Sequence, residues 1–359
     1  MNYQERISEI TGAIQRWLAD EDGALSDAID QSGQKEAFDR SDIFHRLQEV
    51  ERTVTEENLN QWCHEAGVTD AGNSQSSDNQ AVLCLHAGNL PLVGIQDIIA
   101  VLLSGKTYMG KVSQNDRFLT ESLLNELSKS KLGNRISWET RLDQIQGERC
   151  KAVMFSGSEE TIPKVWQMLH EIGCECPPDN RLIRTASYSV VWMDRCSDKD
   201  LHHLAEAVLR YKGNGCRSVK LIVSPQPLDA VEERLKKAIE HFLNEAGTET
   251  REYADRQLAF AKATGKTAIR AGHMIIRSET HPAPDEQVIP WVQADQNLLS
   301  EYLEDHADAI QNIYRESPET ELKDIPADKI DLLKNAQSPE ISWKPDGVDP
   351  LRWLHSLPL

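Results

Sequence analysis

From residue 81 onward, short apolar runs alternate with amphipathic stretches, and this alternation constrains the fold more than any other feature of the chain. Runs typical of strands cover residues 81–85, 107–112, 151–155 and 189–193. Helical periodicity follows over residues 95–103, 116–129, 159–172 and 198–209. Such alternation predicts a parallel sheet with helices on its faces, with any dinucleotide bound beyond the carboxyl ends of the strands.

The segments on either side of this region complete the predicted organisation. The first eighty residues read as mostly helical, with apolar faces at Ile7, Ile10, Ile14, Trp17 and Leu18, at Ile43, Phe44, Leu47 and Val50, and at Leu59, Trp62 and Cys63. A polar stretch at 72–79 predicts an exposed loop. Beyond residue 216 we expect a helix over 228–243 whose Val231, Leu235, Ala238, Ile239 and Phe242 face the core, and strands at 273–276 and 288–292.

The composition and charge of the chain argue against several classes of protein. The 359 residues carry a formal net charge of −19, which argues against a general affinity for nucleic acid or anionic membranes. No apolar stretch approaches the roughly twenty residues that a membrane span requires. The first residues lead into an amphipathic helix without a basic leader, so we expect a cytoplasmic protein.

The cysteines do not predict a disulfide framework or a metal centre. Seven of them are scattered along the chain, an odd number. A Cys-x-Cys pair at 174–176 lacks the second pair of ligands that a structural zinc site needs. We therefore expect no metal.

The tetrapeptide Gly-Asn-Gly-Cys at 213–216 predicts a nucleophile. It lies between a helical stretch and the apolar run at 219–223. Glycines beside a cysteine let backbone N–H groups approach a bound carbonyl closely, because they add no Cβ. The alternative is that Cys216 is a buried cysteine that serves as a small apolar residue.

A second motif, around Asn89, supports the first. His-Ala-Gly-Asn-Leu-Pro-Leu at 86–92 follows a predicted strand and precedes the apolar helix at 95–103. The carboxamide of Asn89 can donate a hydrogen bond to a developing oxyanion, and the backbone N–H of Cys216 would be the second donor that acyl transfer needs. The alternative is that Asn89 only caps the helix or shapes a tight turn.

Together these motifs resemble the aldehyde dehydrogenase superfamily, and within it the LuxC-type acyl-CoA reductases. Asn89 with Leu-Pro-Leu resembles the oxyanion-hole turn, and 213–216 resembles the catalytic-cysteine turn. Residues 108–114 resemble the strand end and Lys-Pro-Ser-Glu segment that contacts the adenosine ribose. Phe-Ser-Gly-Ser at 155–158 resembles the Phe-Thr-Gly-Ser turn near the cofactor phosphates, and 336–349 resembles the tail of short bacterial acyl-CoA reductases.

The resemblance implies an α/β, aldehyde-dehydrogenase-like fold with a parallel-sheet cofactor domain and a smaller α/β catalytic domain. The implied bounds are 1–190 for the helical region with the dinucleotide-binding domain, 191–334 for the catalytic domain and 335–359 for a tail. That tail would pack back on the fold or on a neighbouring subunit, which suggests a homo-oligomer. The missing G-x-G-x-x-G fingerprint is compatible with this superfamily, which lacks it too.

The resemblance also implies the site. Cys216 and Asn89 would be catalytic; Lys111, Ser113 and Gln114 would contact the ribose, and Gly157 and Ser158 the phosphates. Because Gln114 replaces a carboxylate that repels a 2′-phosphate, and because Lys111 is nearby, we prefer NADPH, with NADH as the alternative. His86 is an auxiliary candidate whose proton-transfer role depends on geometry.

One departure from the superfamily indicates the reaction. Where an aldehyde dehydrogenase carries a carboxylate that activates water, this chain has Leu-Ile-Arg-Thr at 182–185. Losing that base favours exchange with the thiol of coenzyme A, which ionises more readily than water. We therefore expect NADPH-dependent reduction of a fatty acyl-CoA to the aldehyde through a thioacyl-cysteine. The alternatives are a non-acylating aldehyde dehydrogenase and a non-catalytic binding protein, and an acyl carrier protein could replace coenzyme A.

Overall fold

The computed structural model describes residues 1–35, 38–68, 81–145, 147, 150–174, 176–246, 253–285 and 287–357. The chain forms two compact units, the first made of Met1–Thr185 with Glu340–Leu359 and the second of Ala186–Pro339. The predicted boundary after residue 190 would divide a strand, Tyr188–Trp192, that the second unit holds whole. The predicted loop at 72–79 lies outside the described residues.

The first unit combines a helical N-terminal region with a parallel sheet. Its helices are α1 Tyr3–Ala19, α2 Ala24–Gln34, α3 Arg40–Thr53, α4 Glu56–Ala66, α5 Ile95–Leu103, α6 Arg117–Ser128 and α7 Ile162–Glu171. Its strands are β1 Ala81–Leu85, β2 Thr107–Lys111, β3 Ile136–Glu139, β4 Cys150–Ser156 and β5 Arg181–Arg184. The strands lie in the order β3-β2-β1-β4-β5 and all pair in parallel.

Both faces of the sheet are buried at its central strand β1, which explains the unbroken apolar run of that strand. Val82 and Cys84 of β1 pack into the core that α1, α5 and α6 share, whereas Leu83 packs on the opposite face with Leu169 of α7. Residues 340–357 return to this unit and end in the short helix Pro350–Ser356, which packs against α4 and α5. Trp62 donates to Asp349 at 3.0 Å, which fixes that return.

The second unit is built around a larger sheet. Its helices are α8 Asp198–Leu209, α9 Leu228–Ala246, α10 Tyr253–Ala263 and α11 Asn297–His306, so the C-terminal helix of the chain is α12. Its strands are β6 Tyr188–Trp192, β7 Val219–Ser224, β8 Ala268–Ala271, β9 Met274–Glu279, β10 Val288–Gln293, β11 Ile310–Arg315 and β12 Ile330–Leu332. Their order is β12-β11-β6-β7-β10-β9-β8, and β8 with β9 is the antiparallel pair.

Side-chain burial follows the predicted faces with one exception. The stripe of α9 from Val231 to Phe242 is buried against the sheet, as predicted. Phe44, predicted on the apolar face of α3, is 47% exposed, and the guanidinium of Arg40 lies over its ring. Across the described part of the chain, no helix has both the length and the apolar composition to cross a membrane.

Candidate active site

In the first unit, a cavity opens at the carboxyl edge of the parallel sheet. It has a volume of about 480 Å3 and is bounded by the ends of β1, β2 and β4 and by the segment after β3. Its lining includes apolar and charged side chains: Leu142, Val165, Met168, Lys111, Arg141 and Asp143. This is the edge at which the alternation of strands and helices predicts a bound dinucleotide.

Two cations face this cavity. Lys111 ends β2 and is half-buried, and that burial lowers the pKa of its ammonium group. Arg141 follows β3 and forms a bidentate ion pair with Asp143, with Nε to Oδ1 at 3.0 Å. An arginine fork of this kind also matches the geometry of a phosphate group. The cavity therefore combines apolar walls with one carboxylate and two positive charges.

Asn89 lies on the turn that joins β1 to α5, and it is exposed. Three residues further on, Leu92 is buried and has a φ of 52°, in the left-handed region that residues with a Cβ rarely adopt. Such a conformation costs about 1–2 kcal/mol for an ordinary residue, so the surroundings must hold it. We call residues 86–92 the Asn89 turn.

The following loop, after β2, supplies those contacts. Oδ2 of the buried Asp116 accepts a hydrogen bond from the backbone N–H of Leu92 at 2.9 Å. Asn115 donates to the carbonyl oxygen of Gly88 at 3.3 Å. From α3, Arg46 donates to the carbonyl oxygen of Leu92 at 3.3 Å. The Asn89 turn is thus tied on both sides of Asn89.

Ser113, predicted to contact the ribose, also lies against this turn. A Cβ on Gly88 would collide with Oγ of Ser113, so only glycine permits this approach. Gln114 is exposed on the same loop and does not line the cavity. Of the three predicted ribose contacts, Lys111 alone is among the cavity-lining residues.

His86 is held as a neutral hydrogen-bonding partner. Its Nε2 lies 2.8 Å from the hydroxyl of Tyr108, and its ring rests on Gly94, where a Cβ would collide with it. Burial lowers the pKa of His86 to about 4. The imidazole is therefore uncharged at neutral pH and is a weak base.

Gly157 and Ser158 lie just beyond β4, before the 3-10 turn Glu159–Thr161 that leads into α7. Gly157 packs against the ring of Phe155 so closely that a Cβ would collide with it. Glu159 and Glu160 follow at once and are both exposed. Two carboxylates at this end of the helix oppose the binding of an anion there, and so weigh against the predicted phosphate contact.

The segment 182–185, where the resemblance aligns a water-activating carboxylate, carries a buried cation instead. Arg184, the last residue of β5, forms a bidentate ion pair with Asp97 in the first turn of α5, with Nη1 to Oδ1 at 2.9 Å. Both side chains are buried. The pairing with Asp97 raises the pKa of Arg184 against the opposing effect of burial.

In the second unit, the turn with Cys216 joins α8 to β7. Tyr211, Lys212 and Gly213 all have φ between 56° and 66°, so three consecutive residues are left-handed. Ser189 donates to the carbonyl oxygen of Cys216 at 3.0 Å. The structure describes all seven cysteines; none forms a disulfide, and Cys216 alone is not buried. We call residues 211–218 the Cys216 turn.

Arg217 anchors the Cys216 turn from within. Its buried guanidinium donates to the carbonyl oxygens of Ala336 at 2.9 Å and Asn335 at 2.7 Å. It also pairs with Asp331 at 2.9 Å and reaches Oδ1 of Asn312 at 3.5 Å. The segment resembling the reductase tail therefore begins by holding the residue next to Cys216.

Sequence reasoning missed Asp116, Asn115, Arg46, Arg141 and Arg217. Asp116 and Arg217 each lie within two residues of a predicted motif, but the burial of their charges is visible only in the fold. The predicted catalytic pair is divided between the units, with Asn89 in the first and Cys216 in the second. Among the described residues, no group of three or more His, Cys, Asp or Glu side chains could hold a metal ion.

Comparison with known proteins gives one family and many similar folds. The sequence model of the family described as acyl-CoA reductase (LuxC) matches residues 12–257. No curated protein matches the sequence.

Three solved structures illustrate the likeness of fold. Proline Utilization A from Corynebacterium freiburgense has a TM-score of 0.59 at 15% identity over 88% of this chain, which spans 37% of that longer chain. Aldehyde dehydrogenase 21 from Physcomitrella patens has a TM-score of 0.60 at 13% identity, covering 87% of this chain and 74% of its own. An NAD-dependent benzaldehyde dehydrogenase from Corynebacterium glutamicum has a TM-score of 0.60 at 14% identity, covering 89% of this chain and 77% of its own. The predicted fold class, α/β and aldehyde-dehydrogenase-like, is confirmed.

Proposed function

The chain belongs to the acyl-CoA reductase (LuxC) family, and from that premise we propose that it reduces an acyl-CoA thioester to the aldehyde with NADPH. The predicted resemblance is thereby confirmed, and family and fold together support an oxidoreductase that acts on acyl-CoA or aldehyde substrates. We further propose that the acyl chain of the substrate is a fatty acyl chain and that the cofactor is NADPH.

Cys216 is the proposed nucleophile. The observation that carries the proposal is that this thiol, alone among seven cysteines, is not buried and lies on a left-handed turn inside the family match. Its thiolate would attack the thioester carbonyl carbon, form a C–S bond and expel coenzyme A as the leaving thiolate. The product is a thioacyl-cysteine.

Asn89 and the backbone N–H of Cys216 are the proposed oxyanion donors. A carboxamide fixed on a tied turn costs little reorganisation when negative charge develops on the carbonyl oxygen. A bound nicotinamide cofactor would supply the hydride that reduces the thioacyl group to the aldehyde. The convergence of Asn89 with Cys216 on one carbon is itself part of the proposal.

The ion pair at Arg184 supports thioester chemistry. Oxidation of an aldehyde to an acid needs a base that activates water, and the segment that would provide it ends in a guanidinium neutralised by Asp97. An arginine remains protonated and cannot act as that base. Release of the acyl group to the coenzyme A thiol requires no such base at this position.

The residues of the cavity in the first unit fit a nicotinamide dinucleotide. Leu142, Val165 and Met168 offer an apolar surface for the adenine ring, and Lys111 is placed for the ribose. Arg141 and Lys111 are the proposed partners of a 2′-phosphate, which would replace Asp143 on the guanidinium of Arg141. Ser113, Gln114, Gly157 and Ser158 remain proposed contacts around this cavity.

The test of the reaction is to incubate the purified chain with NADPH and acyl-CoAs of increasing chain length, and to follow NADPH oxidation and trapped aldehyde. We expect aldehyde in step with NADPH, and none with Cys216→Ala. Cys63→Ala, a buried cysteine in the first unit, is the matched control and should retain turnover. Acyl-CoA reduction by Cys216→Ala would disprove the role of Cys216. Aldehyde oxidation without coenzyme A would instead indicate a non-acylating dehydrogenase.

The cofactor preference has its own test, which does not need turnover. Adenosine 2′,5′-bisphosphate and AMP are titrated by calorimetry into the wild type and Arg141→Ala. We expect the wild type to prefer the bisphosphate, and the preference to fall about tenfold in the variant, because a charge-assisted hydrogen bond is worth about 1.5–3 kcal/mol. Arg117→Ala, an arginine on α6 paired with Glu121, is the control. Equal binding of both ligands by the wild type would favour NADH.

A further inference from the structure

The carboxyl group of Asp116 is placed where a helix cap is expected, yet it serves another element. Asp116 is the residue before α6, a position at which an aspartate side chain ordinarily accepts from the first N–H groups of the helix. Here it makes no such bond. Its Oδ2 instead accepts from the N–H of Leu92 at 2.9 Å and from the hydroxyl of Thr120 at 2.8 Å.

Burying the carboxyl group of Asp116 costs free energy, so its hydrogen bonds must offset that cost. Asp116 is 2% exposed, and its Oδ1 has no hydrogen-bond partner. Burial raises the pKa of this carboxyl to about 7, although the N–H groups of Leu92 and Val93, the Thr120 hydroxyl and the charge of Arg46 all act in the opposite direction. The backbone that Asp116 holds is the strained, left-handed Leu92.

We propose that Asp116 is a positioning residue, which directs the carboxamide of Asn89 by fixing the backbone of the Asn89 turn at Leu92. The inference rests on the proposed function for its catalytic consequence. It requires an acceptor oxygen at the position of Oδ2, and it does not require a negative charge. Loss of the oxygen frees Leu92 to leave the left-handed region, and Asn89 moves with it.

Two substitutions separate the oxygen from the charge. Asp116→Ala removes the acceptor, and we expect kcat to fall about tenfold to a hundredfold with little change in KM, because a misplacement of ~1 Å costs about this much. Asp116→Asn keeps an acceptor oxygen and should restore most of kcat. Thr120→Val is the matched control, because it removes the other bond to Oδ2 and leaves the Leu92 contact in place.

Epistasis with Asn89 shows whether Asp116 acts through that residue. In an Asn89→Ala background, Asp116→Ala should lower kcat by less than about twofold, because the group that it directs is already gone. An equal fall in both backgrounds would mean that Asp116 supports the fold generally, and the proposal would fail.

Backbone hydrogen exchange across residues 86–94 decides the structural part without any turnover. Protection should be lost in Asp116→Ala and kept in Asp116→Asn and Thr120→Val. Unchanged protection in Asp116→Ala would overturn the proposal. If the wild type reduced no acyl-CoA, the proposed function would fail, while the exchange result would still decide whether Asp116 holds the turn.

Discussion

The Cys216 turn is anchored by a guanidinium and the Asn89 turn by a carboxyl group. Arg217 donates in several directions to acceptors near residues 331–336, whereas Asp116 accepts at one oxygen from Leu92 and Thr120. A guanidinium keeps its charge at every working pH, but a buried carboxyl group can be neutral. The anchor of the Cys216 turn therefore keeps its charge as the pH changes, whereas the anchor of the Asn89 turn titrates.

The largest loss of kcat is expected when the carboxamide on the Asn89 turn is removed. Asn89→Ala should lower kcat by up to about a thousandfold, or about 4 kcal/mol, because a proposed oxyanion donor is lost. Its unfolding free energy should fall by about 1.5 kcal/mol at most, the usual upper value of one side-chain hydrogen bond, because Asn89 is exposed. Acyl-CoA reduction and urea unfolding measure the two quantities.

Asn115→Ala is the matched amide control for that experiment. Asn115 is exposed and contacts the same turn at the Gly88 carbonyl, but it presents no group to the substrate in our proposal. Its loss should reduce kcat far less than Asn89→Ala. Equal losses would mean that the turn is sensitive to any change, and that Asn89 has no special role.

The next effect concerns the cationic anchor. Arg217→Met should lower the unfolding free energy of the second unit by about 3 kcal/mol, because Asp331 and two carbonyl oxygens lose their buried partner. Arg217→Lys should recover only part of the lost unfolding free energy, because one ammonium group cannot make all the hydrogen bonds of the planar guanidinium. The loss is measured by chemical denaturation at neutral pH.

Arg234→Met provides the comparison for a surface arginine. Arg234 pairs with the exposed Asp198, which contributes about 0–1 kcal/mol, and makes one hydrogen bond to the carbonyl oxygen of Cys196 at 2.8 Å. If Arg217→Met cost no more than Arg234→Met, the anchoring role assigned to Arg217 would be wrong.

Most buried strands of both sheets could be predicted from the sequence, but the edge strands could not, and neither could the buried β11, whose apolar run is interrupted by Gln311 and Asn312. β1, β2, β4, β6, β7 and β10 read as apolar runs because neighbours cover both of their faces. β3 and β12 are only partly buried, and β5 contains two arginines, so none of them gives a continuous apolar run. A run of apolar residues indicates that a strand is buried, and an edge strand is buried less than a central one.

The candidate residues Cys216 and Asn89 can be picked out from the sequence, but the residues that support their turns cannot. Cys216 and Asn89 lie in short motifs whose glycines and proline mark turns. The left-handed backbone of Tyr211, Lys212 and Leu92 has no local signature, because such residues adopt it only when contacts elsewhere enforce it. Asp116 reads as a helix cap in the sequence, and only the fold shows that its carboxyl group turns to Leu92.

The titratable carboxyl group of Asp116 predicts that the stability of the protein depends on pH. Because the folded pKa of Asp116, about 7, lies above that of an unfolded carboxyl group, the folded state binds the proton more tightly. Its contribution to stability is full below about pH 4 and is lost as the pH rises to about 7, by up to about 1.4 kcal/mol per pH unit.

Asp116→Asn should remove this slope. The variant should therefore gain stability relative to the wild type as the pH rises from acid to neutral, while keeping the acceptor at Leu92. Unfolding free energies of the two proteins across this range measure the difference, and Thr120→Val should keep most of the wild-type slope. Parallel curves for Asp116→Asn and the wild type would show that Asp116 is ionised throughout.

The smallest effect tests whether a cation also holds the Asn89 turn. Arg46 donates one long hydrogen bond, 3.3 Å, to the Leu92 carbonyl oxygen, so Arg46→Met should lower kcat by about fivefold at most, or about 1 kcal/mol. Phe44→Ser, an exposed position on the same helix, is the control and should change unfolding free energy by less than about 0.5 kcal/mol. If Arg46→Met lowered kcat as much as Asp116→Ala, a guanidinium would anchor both turns, and the difference in their pH dependence should disappear with it.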